Sequence, residues 1–153
     1  MEFVDVLRNT EVFGGLNEDE LRMVAALCGR EHHEAGTCIS CQGEAVNKLY
    51  VVEDGLVQFQ IEIGRGRSWS VDSSGKGDCF GWASLLAPLH PWASNAICVE
   101  RSSFVTIESV DLHKLFRAQC RIGYAVMMGI AGLIARRLDN TRMQLAHLAE
   151  RAQ

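Results

Sequence analysis

Residues 49–63 read LYVVEDGLVQFQIEI and set the fold class. Apolar side chains alternate with polar ones from Val57 to Ile63, and this period of two predicts a strand with one buried face. Gly55 separates that run from a second apolar run, Leu49 to Val52. The next residues, Gly64-Arg65-Gly66, predict a hairpin tip, because glycine readily adopts the positive backbone angles of tight turns.

Glycines interrupt short apolar runs throughout the centre of the chain. They stand at positions 36, 43, 55, 64, 66, 75, 77 and 81. Many short strands joined by tight turns predict an antiparallel β jelly roll, also called a double-stranded β-helix. We therefore expect an α+β fold that is mainly β.

Helical patterns flank these strands. Asn17 before an acidic first turn supplies a capping side chain and predicts a helix from about Glu18 to Cys28. The pattern Asp111 to Phe116 predicts another short helix. We divide a single domain, residues 1–153, into short N-terminal helices (1–34), the jelly roll (35–110) and C-terminal helices (111–153).

The last helix is long and carries two apolar stripes. One stripe follows a four-three spacing, which is the seam of a coiled coil; it contains Met127, Ala131, Ile134, Leu138, Thr141, Leu145 and Leu148. The other stripe is Val126, Ile130 and Leu133. We predict that the second stripe covers the barrel and that the seam forms a parallel homodimer. The alternative is a monomer whose helix covers only its own barrel. Gly123, Gly129 and Gly132 weaken the isolated helix and predict close packing against them.

Composition excludes several classes of function. The chain has 153 residues and a formal net charge of -4, so it lacks the positive field that nucleic-acid binding by this chain alone requires. No apolar run approaches the roughly 20 residues that span a bilayer, and the N-terminus lacks the basic start of a signal peptide. We expect a cytoplasmic protein without membrane association and with reduced cysteines.

A series of motifs gives the chain a family resemblance. They are Ala35-Gly36-Thr37, Gln42-Gly43-Glu44, the run from Leu49 to Gly55, Gly77-Asp78-Cys79-Phe80-Gly81, Ser84-Leu85-Leu86 and Leu112 to Phe116. In this order they resemble the cyclic-nucleotide-binding effector domain of bacterial regulators of the cAMP-receptor and fumarate-nitrate-regulator type. The resemblance covers essentially the whole chain. Most such regulators continue into a helix-turn-helix domain, and we expect no DNA-binding domain in this chain.

The family's phosphate-binding cassette corresponds to residues 80–94. In the family, the glycine at position 81 opens a short helix whose backbone N–H groups cradle the cyclic phosphate. A glutamate follows that glycine, and an arginine about ten positions later binds the phosphate; both positions are tryptophan here, Trp82 and Trp92. Removing the charged partner of a buried anion costs about 3–5 kcal/mol, or roughly two to four decades of affinity. We therefore predict no cofactor, and cyclic-nucleotide binding only in a weak form.

The resemblance still implies a ligand site. Its residues are Phe80, Gly81, Trp82, Ala83, Ser84, Leu85, Trp92, Ala93, Ser94 and, from the last helix, Thr141. The amides of Ala83 and Ser84, with the hydroxyls of Ser84 and Ser94, can hold an anion more weakly than arginine does. There are two alternatives for the tryptophans. They either form an aromatic wall of a ligand site, or they pack as core residues in the space that the family's ligand occupies. Thr141 and Arg142 are candidates for a lid contact, although a polar seam residue also sets coiled-coil register.

Other polar motifs predict no catalytic or metal site. Cys38 and Cys41 form a C-x-x-C pair in an expected strand, where residues three apart point to opposite faces. His32 and His33 diverge on an extended segment, and the His-x-His pair of a cupin enzyme does not occur. We expect that the protein is not an enzyme. We expect instead a regulatory or sensor module that binds a small ligand other than an ordinary cyclic nucleotide and signals through its C-terminal helix. The alternatives are a ligand-free dimerisation or scaffold domain, or weak binding of cAMP or cGMP.

Overall fold

The computed structural model describes residues 2–86 and 91–153. Within these residues, the helices are α1 (Phe3–Arg8), α2 (Glu18–Ala25), α3 (Ser109–Ala118) and α4 (Cys120–Arg151). The strands are β1 (Cys28–His33), β2 (Cys38–Ser40), β3 (Lys48–Asp54), β4 (Leu56–Glu62), β5 (Ser68–Gly75), β6 (Cys79–Phe80), β7 (Asn95–Cys98) and β8 (Ser102–Glu108). A short 3-10 turn, Trp82–Leu85, follows β6, and we call it the cassette turn.

The strands form two sheets of four strands each. One sheet has the order β1-β8-β3-β6 and the other the order β2-β7-β4-β5. The paired strands run antiparallel in both sheets. This confirms the predicted fold class, an antiparallel jelly roll with short N-terminal helices and a long C-terminal helix.

The hairpin between β4 and β5 forms where the sequence predicts it. The N–H of Ile63 donates to the carbonyl of Arg67 at 3.0 Å, and the N–H of Arg67 donates to the carbonyl of Gly64 at 3.1 Å. Arg65 has a φ of 54° and lies between glycines with φ of 93° and 72°. The Gly64-Arg65-Gly66 tip is therefore confirmed.

The first strand departs from the prediction that helices fill residues 1–34. Helix α2 ends at Ala25 rather than near Cys28, and β1 begins at Cys28 rather than after residue 34. The sequence CGREHH has no apolar alternation, and its side chains are exposed or half-buried. Its strand conformation follows from pairing with β8, a long-range contact that a local pattern does not reveal. At the other end of the jelly roll, α3 begins at Ser109 rather than at residue 111.

Helix α2 begins at the predicted cap. The Asn17 side chain accepts from the N–H of Glu20 at 2.9 Å, and the Glu20 carboxylate accepts from the N–H of Asn17 at 2.9 Å. This reciprocal pair satisfies two N–H groups that a helix start otherwise leaves free. Glu20 also pairs with Arg121 at 2.7 Å, and so the cap ties α2 to α4.

Two apolar cores hold the domain together. The first joins the four helices to one face of the first sheet, and its most deeply buried members include Leu7, Phe13, Leu49, Ile107, Leu112, Ile122 and Ile130. The second lies between the two sheets and contains an aromatic group made of Tyr50, Phe59, Phe80, Trp92 and Phe104. The cavity described below lies beside this aromatic group.

The first half of α4 packs on the rest of the domain. Val126, Ile130 and Leu133 are buried, and Val126 and Ile130 belong to the core that joins the helices to the first sheet. A Cβ added to Gly129 would lie 2.7 Å from the carbonyl oxygen of Val12, so this glycine permits close packing of helix and loop. A Cβ added to Gly123 would lie 3.0 Å from the Cβ of Phe116, so this glycine permits close packing of α4 on α3.

The predicted dimer seam lies on a different side of α4. Met127 and Ile134 are half-buried, Ala131 and Thr141 are exposed, and Leu138, Leu145 and Leu148 are 48%, 60% and 43% exposed. Met127 and Ile134 pack against the first core, whereas Leu138, Leu145 and Leu148 are exposed in the described part of this chain, and the homodimer stays a prediction. Among the described residues, no helix has the length and apolar character that crossing a membrane requires.

Candidate ligand-binding site

Gly81 sets the geometry of the cassette turn. Its φ of 77° lies in the left-handed region, and a Cβ there would collide with the carbonyl oxygen of Lys48. Only glycine tolerates both conditions. The N–H of Ser84 donates to the Gly81 carbonyl at 3.0 Å and closes the turn. The expectation that the Ser84 amide holds an anion is therefore wrong, because that N–H is already used.

A cavity of about 300 Å³ opens beside the cassette turn. Eight predicted site residues line it: Phe80, Gly81, Trp82, Ala83, Trp92, Ala93, Ser94 and Thr141. Six further lining residues were not predicted: Val46, Phe59, Val71, Asp72, Pro91 and Arg137. Residues 87–90 of the predicted cassette lie outside the described residues. The cavity thus combines the cassette, the second sheet and α4.

Two predicted ligand residues lie elsewhere. Leu85 is buried in the core beneath the helices, and Ser84 is buried without lining the cavity. The Ser84 hydroxyl has no hydrogen-bond partner among the described residues. Leu85 and Ser84 are therefore not part of the cavity lining.

Trp92 is both a core residue and a wall of the cavity. It is only 9% exposed, and its ring centroid lies 6.3 Å from that of Tyr50 and 6.2 Å from that of Phe80. Trp82 is half-buried, packs against the core beneath the helices and also lines the cavity. The two alternatives for the indoles therefore coexist: each packs against a core with part of its surface and faces the cavity with another part.

Arg137 of α4 supplies the positive charge of the cavity. Its guanidinium donates to the Ser74 hydroxyl at 2.9 Å and to the Cys79 carbonyl at 3.3 Å. A carboxylate oxygen of Asp72 lies 3.4 Å from a guanidinium nitrogen of Arg137, and the guanidinium carbon lies 5.5 Å from the centre of the Phe59 ring. These contacts hold a cation against apolar walls, where electrostatic attraction is stronger than in water.

Sequence reasoning identified Thr141 but missed Arg137, although helical periodicity connects them. Residues four apart lie on the same helix face, and Thr141 donates to the carbonyl of Arg137 at 2.9 Å. Arg142, the lid candidate, belongs to a different face. Its side chain is 68% exposed and lies 3.9 Å from Asp139, and it does not line the cavity. Within this chain Arg142 therefore makes no lid contact with the cavity.

Burial keeps two titratable neighbours of the cavity neutral. Tyr50 stacks on Phe80 with centroids 4.8 Å apart, and desolvation by burial raises its pKa to about 12. Desolvation likewise raises the pKa of the Cys79 thiol to about 12. Within the described residues, the charged side chains that line the cavity are therefore Arg137 and Asp72.

The C-x-x-C pair is arranged differently from the expectation. The sulfur atoms of Cys38 and Cys41 lie 3.6 Å apart rather than on opposite faces. Strand β2 ends at Ser40, and its pairing with β7 changes register between Cys38 and Ser40, so strand alternation does not extend to Cys41. His33 contacts the Glu31 carboxylate at 3.1 Å. The described residues contain no group of three or more His, Cys, Asp or Glu side chains suited to a metal ion.

The chain is similar in sequence to a known protein family. The family model of the cyclic nucleotide-binding domain matches residues 30–119. The cyclic AMP receptor protein of Thermus thermophilus is 28% identical over 140 residues, which are 91% of this chain and 62% of that protein.

Solved structures share the fold. The catabolite activator protein of Thermus thermophilus superposes with a TM-score of 0.76 at 26% identity, over 92% of this chain and 63% of that one. A cyclic nucleotide-binding domain from Methylobacillus flagellatus KT superposes with a TM-score of 0.82 at 15% identity, over 95% of this chain and 81% of that one. This chain thus spans less than two thirds of the two Thermus proteins.

Proposed function

The chain belongs to the cyclic nucleotide-binding domain family, and we propose that it is a non-enzymatic sensor whose cavity binds a small planar anion other than an ordinary cyclic nucleotide. Its fold is that of the family's regulatory domains.

The observation that carries the proposal is the position of Arg137. Its side chain is 22% exposed and lines an otherwise mainly apolar cavity. The 3.4 Å contact with Asp72 is longer than the roughly 2.7–2.9 Å of a strong charge-assisted hydrogen bond. A carboxylate that enters the cavity can make a shorter contact with the guanidinium than Asp72 makes.

The neighbouring walls favour an aromatic ligand. Phe59, Phe80 and Trp92 line the cavity, and aromatic rings stack favourably on flat ligands. A volume of about 300 Å³ suits a small molecule. An aromatic carboxylate satisfies both requirements, because its ring packs on the walls and its charge faces Arg137.

An ordinary cyclic nucleotide fits less well. Trp92 occupies the position at which the family carries the phosphate-binding arginine, and Trp82 occupies the position of the glutamate. Replacing Trp92 by a charged group would also disturb the aromatic core, because the indole contacts Tyr50 and Phe80. A cyclic phosphate in the cassette would therefore face an indole ring instead of a guanidinium.

Transmission would run through α4. Arg137 and Thr141 belong to this helix, whereas Trp82 and Trp92 belong to the cassette, so one ligand can contact both. A ligand that binds one relative setting of helix and barrel more tightly shifts the population toward that setting. The exposed seam beyond Leu138 would pass the change to a second copy of the chain.

A thermal-shift screen tests the proposal. The panel contains benzoate and indole-3-acetate, their neutral amides benzamide and indole-3-acetamide, and cAMP and cGMP. We expect a carboxylate to raise the melting temperature and its amide to have no effect, because a ligand that binds only the native state stabilises it. Arg137→Gln should abolish the shift, whereas Arg142→Gln on the same helix should retain it. Equal shifts with acid and amide, or a shift that survives Arg137→Gln, would contradict the anion site.

A second candidate function is a scaffold domain without a ligand. The observation in its favour is the 9% exposure of Trp92, since its indole fills part of the space that a ligand would occupy. A screen in which no compound stabilises the chain, cyclic nucleotides included, favours the scaffold.

A further inference from the structure

Cys38 and Cys41 form a pair of accessible thiols at one end of β2. Both are free and exposed, and their sulfur atoms lie 3.6 Å apart. Cys120 is also exposed, but it is far from another cysteine in sequence and contacts the carbonyl of Arg117 instead. Cys79 and Cys98 are buried. The pair thus combines access for a reagent with a partner within reach.

The two thiols already interact. The hydrogen bond with Cys38, followed by that with Glu44, raises the pKa of Cys41 to about 11. Cys41 therefore keeps its proton at neutral pH and can share it with the Cys38 sulfur. A disulfide bond measures about 2.05 Å, so forming it brings the two sulfur atoms closer by about 1.5 Å.

The segment that follows Cys41 is hydrogen-bonded to Trp92, which forms a wall of the cavity. The N–H of Gly43 donates to the Trp92 carbonyl at 2.9 Å, and the N–H of Trp92 donates to the Glu44 carbonyl at 2.7 Å. The N–H of Gln42 donates to the Asn95 side chain at 2.6 Å. These short bonds link the 42–44 segment to Trp92 and to the start of β7.

We propose that Cys38 and Cys41 form a reversible disulfide and that its formation displaces the 42–44 segment together with Trp92. A movement of the Cys41 backbone that is passed along residues 42–44 either carries Trp92 along or breaks the two hydrogen bonds that join the Trp92 backbone to Gly43 and Glu44. The oxidation state of the pair thereby changes the shape of the cavity wall. This inference needs no ligand and is independent of the function proposed above.

The oxidant belongs to the class of low-molecular-weight disulfides, such as oxidised glutathione. The Cys38 thiolate attacks one sulfur of that disulfide, which forms a mixed disulfide and releases one thiolate. Cys41 then gives its proton to water, and its sulfur attacks the Cys38 sulfur and expels the second thiolate. The two cysteines together lose two electrons and two protons, and the small disulfide is reduced to two thiols.

The experiment uses the full chain, labelled with ¹⁵N and equilibrated in glutathione buffers from fully reduced to fully oxidised. The predicted tryptic peptide, residues 31–48, contains Cys38 and Cys41 and no other cysteine. We expect this peptide to lose the mass of two hydrogens in oxidised buffer and to regain it in reduced buffer. The amide resonances of Gly43 and Trp92 should shift in step with it, while that of Gly132 on α4 stays in place.

Two variants separate the pair from other thiols. Cys38→Ser combined with Cys41→Ser should remove both the mass change and the resonance shifts, and Cys120→Ser should leave both intact. Two separate glutathione adducts on Cys38 and Cys41 would overturn the disulfide. Formation of the disulfide with unmoved Gly43 and Trp92 amides would overturn its connection to the cavity.

Discussion

Arg137 on α4 faces Asp72 on β5 with 3.4 Å between their nearest nitrogen and oxygen atoms. The same guanidinium donates to the buried hydroxyl of Ser74, also on β5. The long helix is thereby attached to the second sheet at the cavity, well beyond the stripe that packs on the first core. A change in the cavity and a change in the helix setting therefore involve the same side chain.

The first prediction concerns the contribution of Arg137 to stability. Arg137→Ala should lower the free energy of unfolding by about 1–3 kcal/mol, because it leaves the buried Ser74 hydroxyl without its donor. Arg142→Ala should change it by less than about 0.5 kcal/mol, since exposed ion pairs contribute little. Urea unfolding of both variants measures the difference. Equal effects at the two positions would contradict the contacts described for Arg137.

The second prediction contrasts two glycines of α4. Gly129→Ala should destabilise the chain by about 1–3 kcal/mol, although alanine favours helices, because the new methyl group meets the Val12 backbone. Gly132→Ala should instead stabilise it by up to about 1 kcal/mol. Its nearest neighbour is the flexible end of Glu11, 3.4 Å from the added Cβ. Calorimetric melting of both variants checks the opposite signs.

The third prediction concerns the seam of α4. Leu145→Glu should convert a dimer into a monomer, because it places a charge in the apolar seam. Met143→Glu is the matched control: Met143 is 59% exposed on the same helix but lies outside the seam. Light scattering after size-exclusion chromatography gives the mass. A monomeric parent chain, or equal dissociation by both variants, would contradict the seam.

The fourth prediction concerns the reactivity of the thiols in the reduced native protein. Burial raises the pKa of Cys79 to about 12, which lowers its thiolate fraction, and it also denies access to reagents. Iodoacetamide should therefore label Cys38 and Cys120 in the native protein, Cys41 more slowly because its raised pKa lowers its thiolate fraction, and Cys79 only after urea is added. Mass spectrometry of the peptides locates the label. Labelling of Cys79 under native conditions would show that the core around it opens.

Local sequence signals predicted the elements that local physics determines. Asn17 and Glu20 supply a complete cap within four residues, so the start of α2 was predictable. The Gly64-Arg65-Gly66 tip was predictable because its backbone angles restrict the residue types. Strand β1 was missed because its conformation depends on β8, whose paired residues lie 69 to 79 positions away in sequence, from His33–Ser102 to Cys28–Ile107. No local pattern in CGREHH indicates that partner.

The sequence predicted where the site lies in the fold, but it did not predict which charged side chains line it. Gly81 and its neighbours located the cavity, since a glycine with positive φ is required there. The direction of Arg137 depends on how α4 lies over β5, which follows from tertiary packing. The proximity of Cys38 and Cys41 likewise depends on the register change at the end of β2. The prediction that the two cysteines point to opposite faces assumed a regular strand through Cys41, and it was wrong for that reason.

The most direct test of the proposed ligand class is the cAMP affinity of this chain, measured by isothermal titration calorimetry beside that of the Thermus thermophilus cyclic AMP receptor protein. We predict that this chain binds cAMP at least about 100-fold more weakly, because the phosphate would lack an arginine at the position of Trp92. A dissociation constant within tenfold of the Thermus value would contradict the proposal that the cavity binds an anion other than an ordinary cyclic nucleotide.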